Sequence, residues 1–219
     1  VTLMENLELA GTGTQAVTLG AQTNAAFVNG VTITTDATAT SLNLQGALST
    51  VSVNATGTNS ADTLVGGMVA DNLEGGSGND TITGGAGADS LTGGDGFDVF
   101  IYSSVTDLFA GNALVDSITG GDAPDTIQLD DSTAYTIAAG DSWVRANSVE
   151  TLRQNVANAQ NVSITLNADA FVAGIDTVTL VGDTDASGLN TIDASAATTQ
   201  NLILTGSVGN DTIRGGGGF

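Results

Sequence analysis

The sequence predicts an all-β fold: a parallel β-roll or β-helix flanked by β-rich regions, with one short helix. Three observations support this: a nine-residue repeat, 30 glycines in 219 residues, and few aromatic residues, at 4% of the chain. A period of nine fits neither the helical period of about 3.6 residues nor the period of about two in a long strand. Each repeat therefore combines a tight turn with a very short strand, and stacked repeats build a solenoid.

The repeated unit occupies residues 57–101 and occurs five times, as GTNSADTLV, GGMVADNLE, GGSGNDTIT, GGAGADSLT and GGDGFDVFI. The sixth place is always aspartate, at Asp62, Asp71, Asp80, Asp89 and Asp98. The eighth place is always large and apolar, at Leu64, Leu73, Ile82, Leu91 and Phe100. If two units make one coil, equivalent residues stack at one strand spacing, about 4.8 Å. The aspartates then form two columns, Asp62, Asp80 and Asp98 in one and Asp71 and Asp89 in the other.

These columns of aspartate require a cation. Two carboxylates about 4.8 Å apart repel by roughly 1 kcal/mol in water and about 3.5 kcal/mol at an effective dielectric constant of about 20. Glycines at the first, second and fourth places allow backbone carbonyl oxygens to enter the same space. Calcium accepts about six to eight oxygens and suits such a cage better than magnesium, which loses water reluctantly. One core residue per repeat is too little to fold the chain alone, so we expect folding to require calcium.

The composition excludes several other functions. The chain has 24 acidic and three basic residues, a net charge of −21, and neither histidine nor cysteine. The chain lacks the basic surface that nucleic-acid binding requires. It also lacks the residues that form the usual zinc sites, cysteine nucleophiles, Ser-His-Asp triads and iron–sulfur ligation. No apolar run approaches the ~20 residues of a membrane span. The motifs HExxH and GxSxG do not occur, so we expect no enzymatic activity.

Three units, GGSGNDTIT, GGAGADSLT and GGDGFDVFI, match in full the nonapeptide GGxGxDxUx, where U is a large apolar residue. The chain thus resembles the RTX, or hemolysin-type calcium-binding, family. The resemblance implies a parallel β-roll with several calcium ions between stacked turns, and export as an unfolded chain by type I secretion. It implies side-chain ligands at Asp80, Asp89 and Asp98, and carbonyl ligands around Gly76, Gly78, Gly85, Gly87, Gly94 and Gly96.

Two features depart from the family pattern. The units that contain Asp62 and Asp71 carry Ser60 and Val69 in place of the fourth glycine. The segment after the last full unit resembles the end of an RTX roll, in which a strand leads through a loop into a final turn, here GGDAPD, and a closing strand. Asp116, Asp122 and Asp125 of this segment either extend the metal columns or lie in solvated turns. We place the roll, with its closing strand, at residues 57–131.

The regions on either side of the roll resemble each other. Residues 1–56 are rich in threonine and valine between glycine and asparagine turns, which predicts a β-helix-like region. The segment MENLELAG from residue 4 aligns with IDTVTLVG from residue 175, and SLNLQG from residue 41 aligns with NLILTG from residue 201. We therefore interpret residues 171–205 as the β-rich start of a second module. Residues 206–219 would begin a second roll, with Asp211 as a ligand.

This recurrence predicts that the chain is a piece of a longer protein built from tandem modules. Between the two modules, residues 132–170 form a connecting region. Here Val149, Leu152 and Val156 have helical spacing, which predicts a helix within Arg145–Ala159, near residues 147–158. Trp143 precedes it and is expected to anchor the core.

A second acidic segment, DTDASGLNTID from Asp183 to Asp193, opens like an EF-hand calcium loop. It lacks the glutamate at the twelfth place and the flanking helices that an EF-hand requires. The segment either binds calcium in a turn or forms an Asx-turn connection.

The function predicted from these features is structural. The chain would be a calcium-binding part of a secreted bacterial surface protein of surface-layer or filament type, self-associating and contacting a cell-surface polysaccharide. The alternative is a folding and export module of an RTX exoenzyme, toxin or adhesin whose active domain lies outside the chain. A third interpretation is the binding of ice or sugars by ordered rows of threonine and asparagine.

Overall fold

A computed structural model describes residues 52–155, 161–180 and 189–217, together with the backbone of 6–9, 15–18, 31–35 and 40–43. The chain divides into two compact units, Val1–Phe100 with Val115–Asp125 and Ile101–Leu114 with Thr126–Phe219. Strands dominate both units, which confirms the all-β prediction. The described helices, α1 (Val105–Leu108) and α2 (Ala168–Ala173), are both short, and neither is long or apolar enough to cross a membrane.

In chain order, the described strands are β1 (Asn6–Leu9), β2 (Gln15–Thr18), β3 (Val31–Thr35), β4 (Thr40–Asn43), β5 (Val53–Thr56), β6 (Thr63–Val65), β7 (Asn72–Ser77), β8 (Thr81–Thr83), β9 (Ser90–Asp95), β10 (Val99–Tyr102), β11 (Phe109–Ala110), β12 (Ala113–Leu114), β13 (Ser117–Asp122), β14 (Thr126–Leu129), β15 (Tyr135–Ile137), β16 (Ala146–Asn147), β17 (Thr151–Gln154), β18 (Val162–Thr165), β19 (Thr177–Leu180), β20 (Thr191–Asp193), β21 (Ile203–Thr205) and β22 (Thr212–Arg214).

In the first unit the chain alternates between two parallel sheets. One sheet has the order β1-β3-β5-β7-β9-β13, and the other β2-β4-β6-β8-β10. Each coil of the chain thus contributes one strand to each sheet, which is the architecture of a β-roll. Asn72 pairs with Ser90, so two nonapeptides make one coil. The preceding coil is wider, since Val31 pairs with Val53.

The apolar residues of the eighth repeat place form the core of this unit. All five are buried: Leu64, Leu73, Ile82, Leu91 and Phe100. Leu73 lies in register with Leu91, and Ile82 with Phe100, on adjacent parallel strands. Because successive residues of a strand face opposite ways, each three-residue strand sends only its middle side chain inward. The core is therefore one residue deep along each wall.

In the second unit the chain again alternates between two sets of parallel strands, β14-β17-β19-β21, which belong to the same sheet as β10, and the separate four-stranded sheet β15-β18-β20-β22. Its core is also built from apolar residues stacked in register on adjacent parallel strands. Leu152 lies in register with Ile127 and with Val178, and all three are buried. In the other sheet Ile164 pairs with Ile192. The second unit is therefore also a solenoid.

Trp143 anchors the core of the second unit, as the sequence predicts. Its side chain is fully buried and meets the ring of Phe109 edge to face, with centroids 5.0 Å apart and planes at 82°. Phe109 lies in β11, which forms an antiparallel hairpin with β12 and faces Leu114. Aromatic pairs prefer this geometry because the positive edge of one ring meets the negative face of the other.

The helix predicted within Arg145–Ala159 is wrong over the described residues 145–155. This segment forms the short strand β16, a turn, and the strand β17. Val149 and Leu152 are both buried, but Val149 lies between the two strands and Leu152 points inward from β17. Backbone pairing of β17 with β14 and β19 replaces the hydrogen bonds of a helix. The rest of the predicted helix, residues 156–160, lies outside the described residues.

Two other sequence predictions fall mainly outside the structural description. Of the acidic segment Asp183–Asp193, residues 183–188 are not described, and Asp193 belongs to β20, where its carboxylate pairs with Arg214 at 3.6 Å. Calcium binding by this segment stays a prediction. The region boundaries at residues 56, 131, 170 and 205 also stay predictions.

The thin core predicts a large effect of a single truncation. Leu91→Ala is expected to lower the free energy of unfolding of the calcium-loaded chain by about 2–5 kcal/mol, because it removes most of a fully buried apolar side chain and leaves a cavity in the core. Ser90→Ala is the matched control on the exposed face of the same strand, with an expected change within about 0.5 kcal/mol. Denaturant unfolding measures both, and equal effects would contradict the inward position of Leu91.

Candidate calcium centre

The repeat aspartates form two hydrogen-bonded ladders inside the first unit. In the first ladder, the backbone N–H of Asp62 donates to Oδ1 of Asp80 at 2.7 Å, and that of Asp80 donates to Oδ1 of Asp98 at 2.8 Å. In the second, the N–H of Asp71 donates to Oδ1 of Asp89 at 2.8 Å. These are the two columns that the repeat predicts, and all five side chains are buried.

Both ladders continue past the last full nonapeptide. The N–H of Asp98 donates to Oδ1 of Asp125 at 2.7 Å, and the N–H of Asp89 donates to Oδ1 of Asp116 at 2.8 Å. Each of these steps spans 27 residues instead of 18, because residues 101–114 fold into the second unit. Asp116 and Asp125 are buried, so they do not lie in solvated turns. Asp122, in contrast, is exposed at the end of β13.

The second carboxylate oxygen of each ladder residue points into the turn of its own repeat. In the first two repeats a backbone N–H satisfies this oxygen: that of Thr58 donates to Asp62 Oδ2 at 2.6 Å, and that of Gly67 donates to Asp71 Oδ2 at 2.7 Å. In the next three repeats, Oδ2 is buried and has no hydrogen-bond partner in the described part of the chain: Asp80, Asp89 and Asp98. A buried, unpartnered carboxylate oxygen is costly unless a cation meets it.

The glycine turns bring backbone carbonyl oxygens close to these carboxylates. The six glycines named by the family resemblance all have positive φ: Gly76, Gly78, Gly85, Gly87, Gly94 and Gly96. A side chain at Gly94 would overlap the carbonyl oxygen of Gly76 in the preceding coil. One at Gly75 would overlap Oδ2 of Asp80. Glycine is therefore required here both by its backbone conformation and by the oxygen atoms that occupy the space.

Ala123 is a turn residue whose conformation the sequence analysis did not predict. It lies in GGDAPD at the place of the fourth glycine and adopts a left-handed backbone with φ of 74°. The turn nevertheless keeps the stacking of the others, since the N–H of Gly96 donates to the carbonyl of Asp122 at 3.2 Å. Alignment of GGDAPD with GGDGFD would have indicated this position. A non-glycine residue here is strained, and the stacked turn holds it in place.

Burial and mutual repulsion shift the acidity of the ladder. Loss of hydration, and secondarily the neighbouring carboxylates Asp98 and Asp62, raise the pKa of Asp80 to about 7, against the N–H bond from Asp62, which lowers it. Burial likewise raises the pKa of Asp89 to about 7. Burial also raises the pKa values of Asp71 and Asp98. The metal-free ladder thus resists carrying its full negative charge near neutral pH.

The available donors fit calcium. Among the described residues, no three acidic side chains converge on one point, so the carboxylates alone cannot enclose an ion. The remaining oxygens would come from the backbone carbonyls of the stacked turns. A mixed set of carboxylate and carbonyl oxygens is the coordination that calcium prefers. Asp80, Asp89 and Asp98 would hold the ion through their unpartnered Oδ2 atoms.

The second predicted roll begins with the same local geometry as the first. The N–H of Ser207 donates to Oδ2 of Asp211 at 2.7 Å, as that of Thr58 does to Asp62 at 2.6 Å. A side chain at Gly206 would overlap Oδ2 of Asp211. Asp211 is half-buried, whereas Asp62 is buried. The structure thus places Asp211 in a turn of the same kind as the first-unit ladder residues.

Neutralising one ladder residue should weaken calcium binding. Asp80→Asn keeps an acceptor for the N–H of Asp62 but removes negative charge from Oδ2, so we expect about tenfold lower calcium affinity. Isothermal titration calorimetry measures it. Glu74→Gln is the matched control, because it removes one charge from the exposed outer face of β7 in the same roll. Equal losses in both variants would show that net charge, and not the ladder, governs affinity.

The raised pKa values of Asp80 and Asp89 predict opposite pH effects with and without calcium. Their folded pKa of about 7 exceeds the unfolded value of about 4, so the metal-free roll is most stable below about pH 4 and loses stability as pH rises through 7. In chelator, circular dichroism should show more β-structure at pH 4.5 than at pH 8. Calcium affinity should instead rise from pH 6 to 8, because calcium displaces protons. A pH-independent affinity would contradict the raised pKa values.

Comparison with known proteins agrees with this geometry. A family model described as the RTX calcium-binding nonapeptide repeat matches four copies, over residues 69–100 and 203–218. A search of curated proteins found no match, and a search of solved structures found none. Repeats of this family typify secreted bacterial proteins and bind several calcium ions. The chain therefore contains calcium-binding nonapeptide repeats of the RTX type over these two segments.

Proposed function

We propose that this module is a structural part of a secreted bacterial surface protein, of surface-layer or filament type, that folds on extracellular calcium. The observation that carries the proposal is the pair of buried carboxylate ladders, whose unpartnered Oδ2 atoms need a cation. The only cationic side chains of the chain are Arg145, Arg153 and Arg214, all outside residues 57–131. Positive charge for the roll must therefore come from bound ions.

Calcium binding of this kind supports a switch that depends on location. Extracellular calcium modules bind with dissociation constants of about 10⁻⁴ to 10⁻³ M, well above the concentration of free calcium inside cells. Inside the cell the ladder carboxylates would repel one another and keep the roll unfolded, in a form suited to type I export. Outside the cell, calcium would fill the turns and fold the chain. Folding would then follow secretion without a separate signal.

A structural role is supported by the recurrence of the module. The turn around Asp211 repeats the hydrogen bond made around Asp62, and the strand β22 follows it as β6 follows the first turn. A roll that only assisted the export of an exoenzyme or toxin would not require a second β-rich region and a second roll. We therefore propose a non-catalytic role and favour it over the exoenzyme, toxin or adhesin module.

The surface of the roll supports two kinds of contact. Asp95 and Asp122 lie in register at the exposed ends of β9 and β13, where calcium can bridge acidic faces of two copies despite the net charge of −21. On the outer face of the same sheet, Asn72, Ser90 and Ser117 form an exposed row of polar groups in register. We propose self-association through the acidic edge and polysaccharide contact through the polar row.

The test is to compare the chain in chelator and in millimolar calcium. We expect circular dichroism at neutral pH to show a clear gain of β-structure when calcium is added, and negative-stain electron microscopy to show sheets or filaments only with calcium. The control is magnesium at the same concentration, which should do neither. Dispersed folded particles in calcium would reject the assembly role and favour the export module. A spectrum at neutral pH that is the same in chelator and in calcium would show that the roll folds without the ion and would reject the calcium switch.

A further inference from the structure

Asn190 occupies the place of a ladder aspartate at the entry to the second roll. It precedes β20 and is buried. Its backbone carbonyl accepts the N–H of Thr212 at 2.8 Å, as the carbonyl of Asp62 accepts the N–H of Thr81 at 2.9 Å. Asn190 therefore stands to Asp211 as Asp62 stands to Asp80.

The side chain of Asn190 makes one contact that a ladder aspartate makes and adds another that a carboxylate cannot make. Its Oδ1 accepts the N–H of Val162 at 2.9 Å, as Oδ1 of Asp71 accepts the N–H of Val53 at 2.8 Å. Its Nδ2 donates to Oδ1 of Asp211 at 3.2 Å and to Oγ of Ser207 at 2.9 Å. Because a backbone N–H can only donate and an ionised carboxylate can only accept, these neighbours fix the orientation of the amide.

An amide at this place changes the electrostatics of the first ladder step. The steps from Asp62 to Asp80 and from Asp80 to Asp98 each join two carboxylates, which repel and need a cation between the turns. The step from Asn190 to Asp211 joins a neutral donor to one carboxylate and is attractive without a cation. The other oxygen of Asp211 is satisfied by the N–H of Ser207 at 2.7 Å.

We propose that Asn190 is a positioning residue that closes the first turn of the second roll, residues 206–211, without calcium. This inference rests on the proposed calcium-driven folding and specifies where that folding starts. The second unit would present a preformed turn, with Asp211 already held, to the calcium ions that bind beyond it. Asn190→Asp would convert the step into a pair of carboxylates and make this turn calcium-dependent.

Hydrogen exchange measured by mass spectrometry on the 219-residue chain tests this inference. In chelator, we expect the peptide over residues 203–214 to exchange about tenfold more slowly than the peptide over residues 72–100. In Asn190→Asp, residues 203–214 should lose this protection in chelator and regain it in calcium. Asn190→Ala should lose part of it, because it removes the donor without adding charge. Protection of residues 162–178 reports whether each variant keeps the second unit folded.

The matched control is Asn161→Asp. Asn161 is exposed, and its Oδ1 accepts the N–H of Leu189 at 2.9 Å, a bond that a carboxylate also makes. The substitution Asn161→Asp adds the same negative charge nearby and should leave the exchange of residues 203–214 unchanged. Rapid exchange of residues 203–214 in the wild-type chain in chelator, or equal exchange in Asn190→Asp and Asn161→Asp, would overturn the proposal. Slow exchange of residues 72–100 in chelator would instead reject the calcium switch. The role of Asn190 would then be decided by the exchange of residues 203–214 alone.

Discussion

Repulsion between stacked, buried carboxylates is the constraint on which the roll depends. The solenoid places equivalent residues of successive coils directly above one another, so an aspartate in the repeat becomes a column of aspartates in the structure. Backbone N–H groups satisfy Oδ1 at every described step, which fixes each carboxylate but does not neutralise it. The unpartnered Oδ2 atoms are the remaining cost, and they lie where the carbonyls of the turns also point. One divalent ion can neutralise the repelling carboxylates and also bind their unpartnered oxygen atoms.

The thin core makes this dependence strict. In the three-residue strand β8 only Ile82 is buried, and its burial is worth about 1.5–3 kcal/mol. Ordering the backbone of a nine-residue repeat costs about 1–2 kcal/mol per residue, which one apolar side chain cannot offset. In the second unit, larger groups such as Trp143 and Phe109 enter the core, and Ile127, Leu152 and Val178 stack in register on its described strands β14, β17 and β19. We therefore expect bound ions to stabilise the nonapeptide coils and apolar packing to stabilise the longer coils.

The sequence predicts the features that depend on a strict period and fails where the period breaks. The columns through Asp80 and Asp89 follow from the nine-residue spacing alone. The steps to Asp116 and Asp125 could not be fixed, because the inserted residues between the coils hide the register. The helical spacing of Val149 and Leu152 was misleading, since a turn followed by a strand buries the same two residues. Periodicity over so few positions cannot separate these cases, and pairing with β14 and β19 decides the outcome.

The ladder through Asp71 begins next to a neutral residue, which offers a physical route from coils held by packing to coils that need an ion. In the first unit, the N–H of Val53 donates to Oδ1 of Asp71, so the first carboxylate of that column meets a backbone dipole and no like charge below it. Its Oδ2 is satisfied by Gly67. Only the following carboxylate, Asp89, introduces a like-charge pair and an unpartnered oxygen. The need for calcium therefore starts one coil inside the roll, and a coil that folds by packing can serve as the template on which the first ion-dependent coil closes.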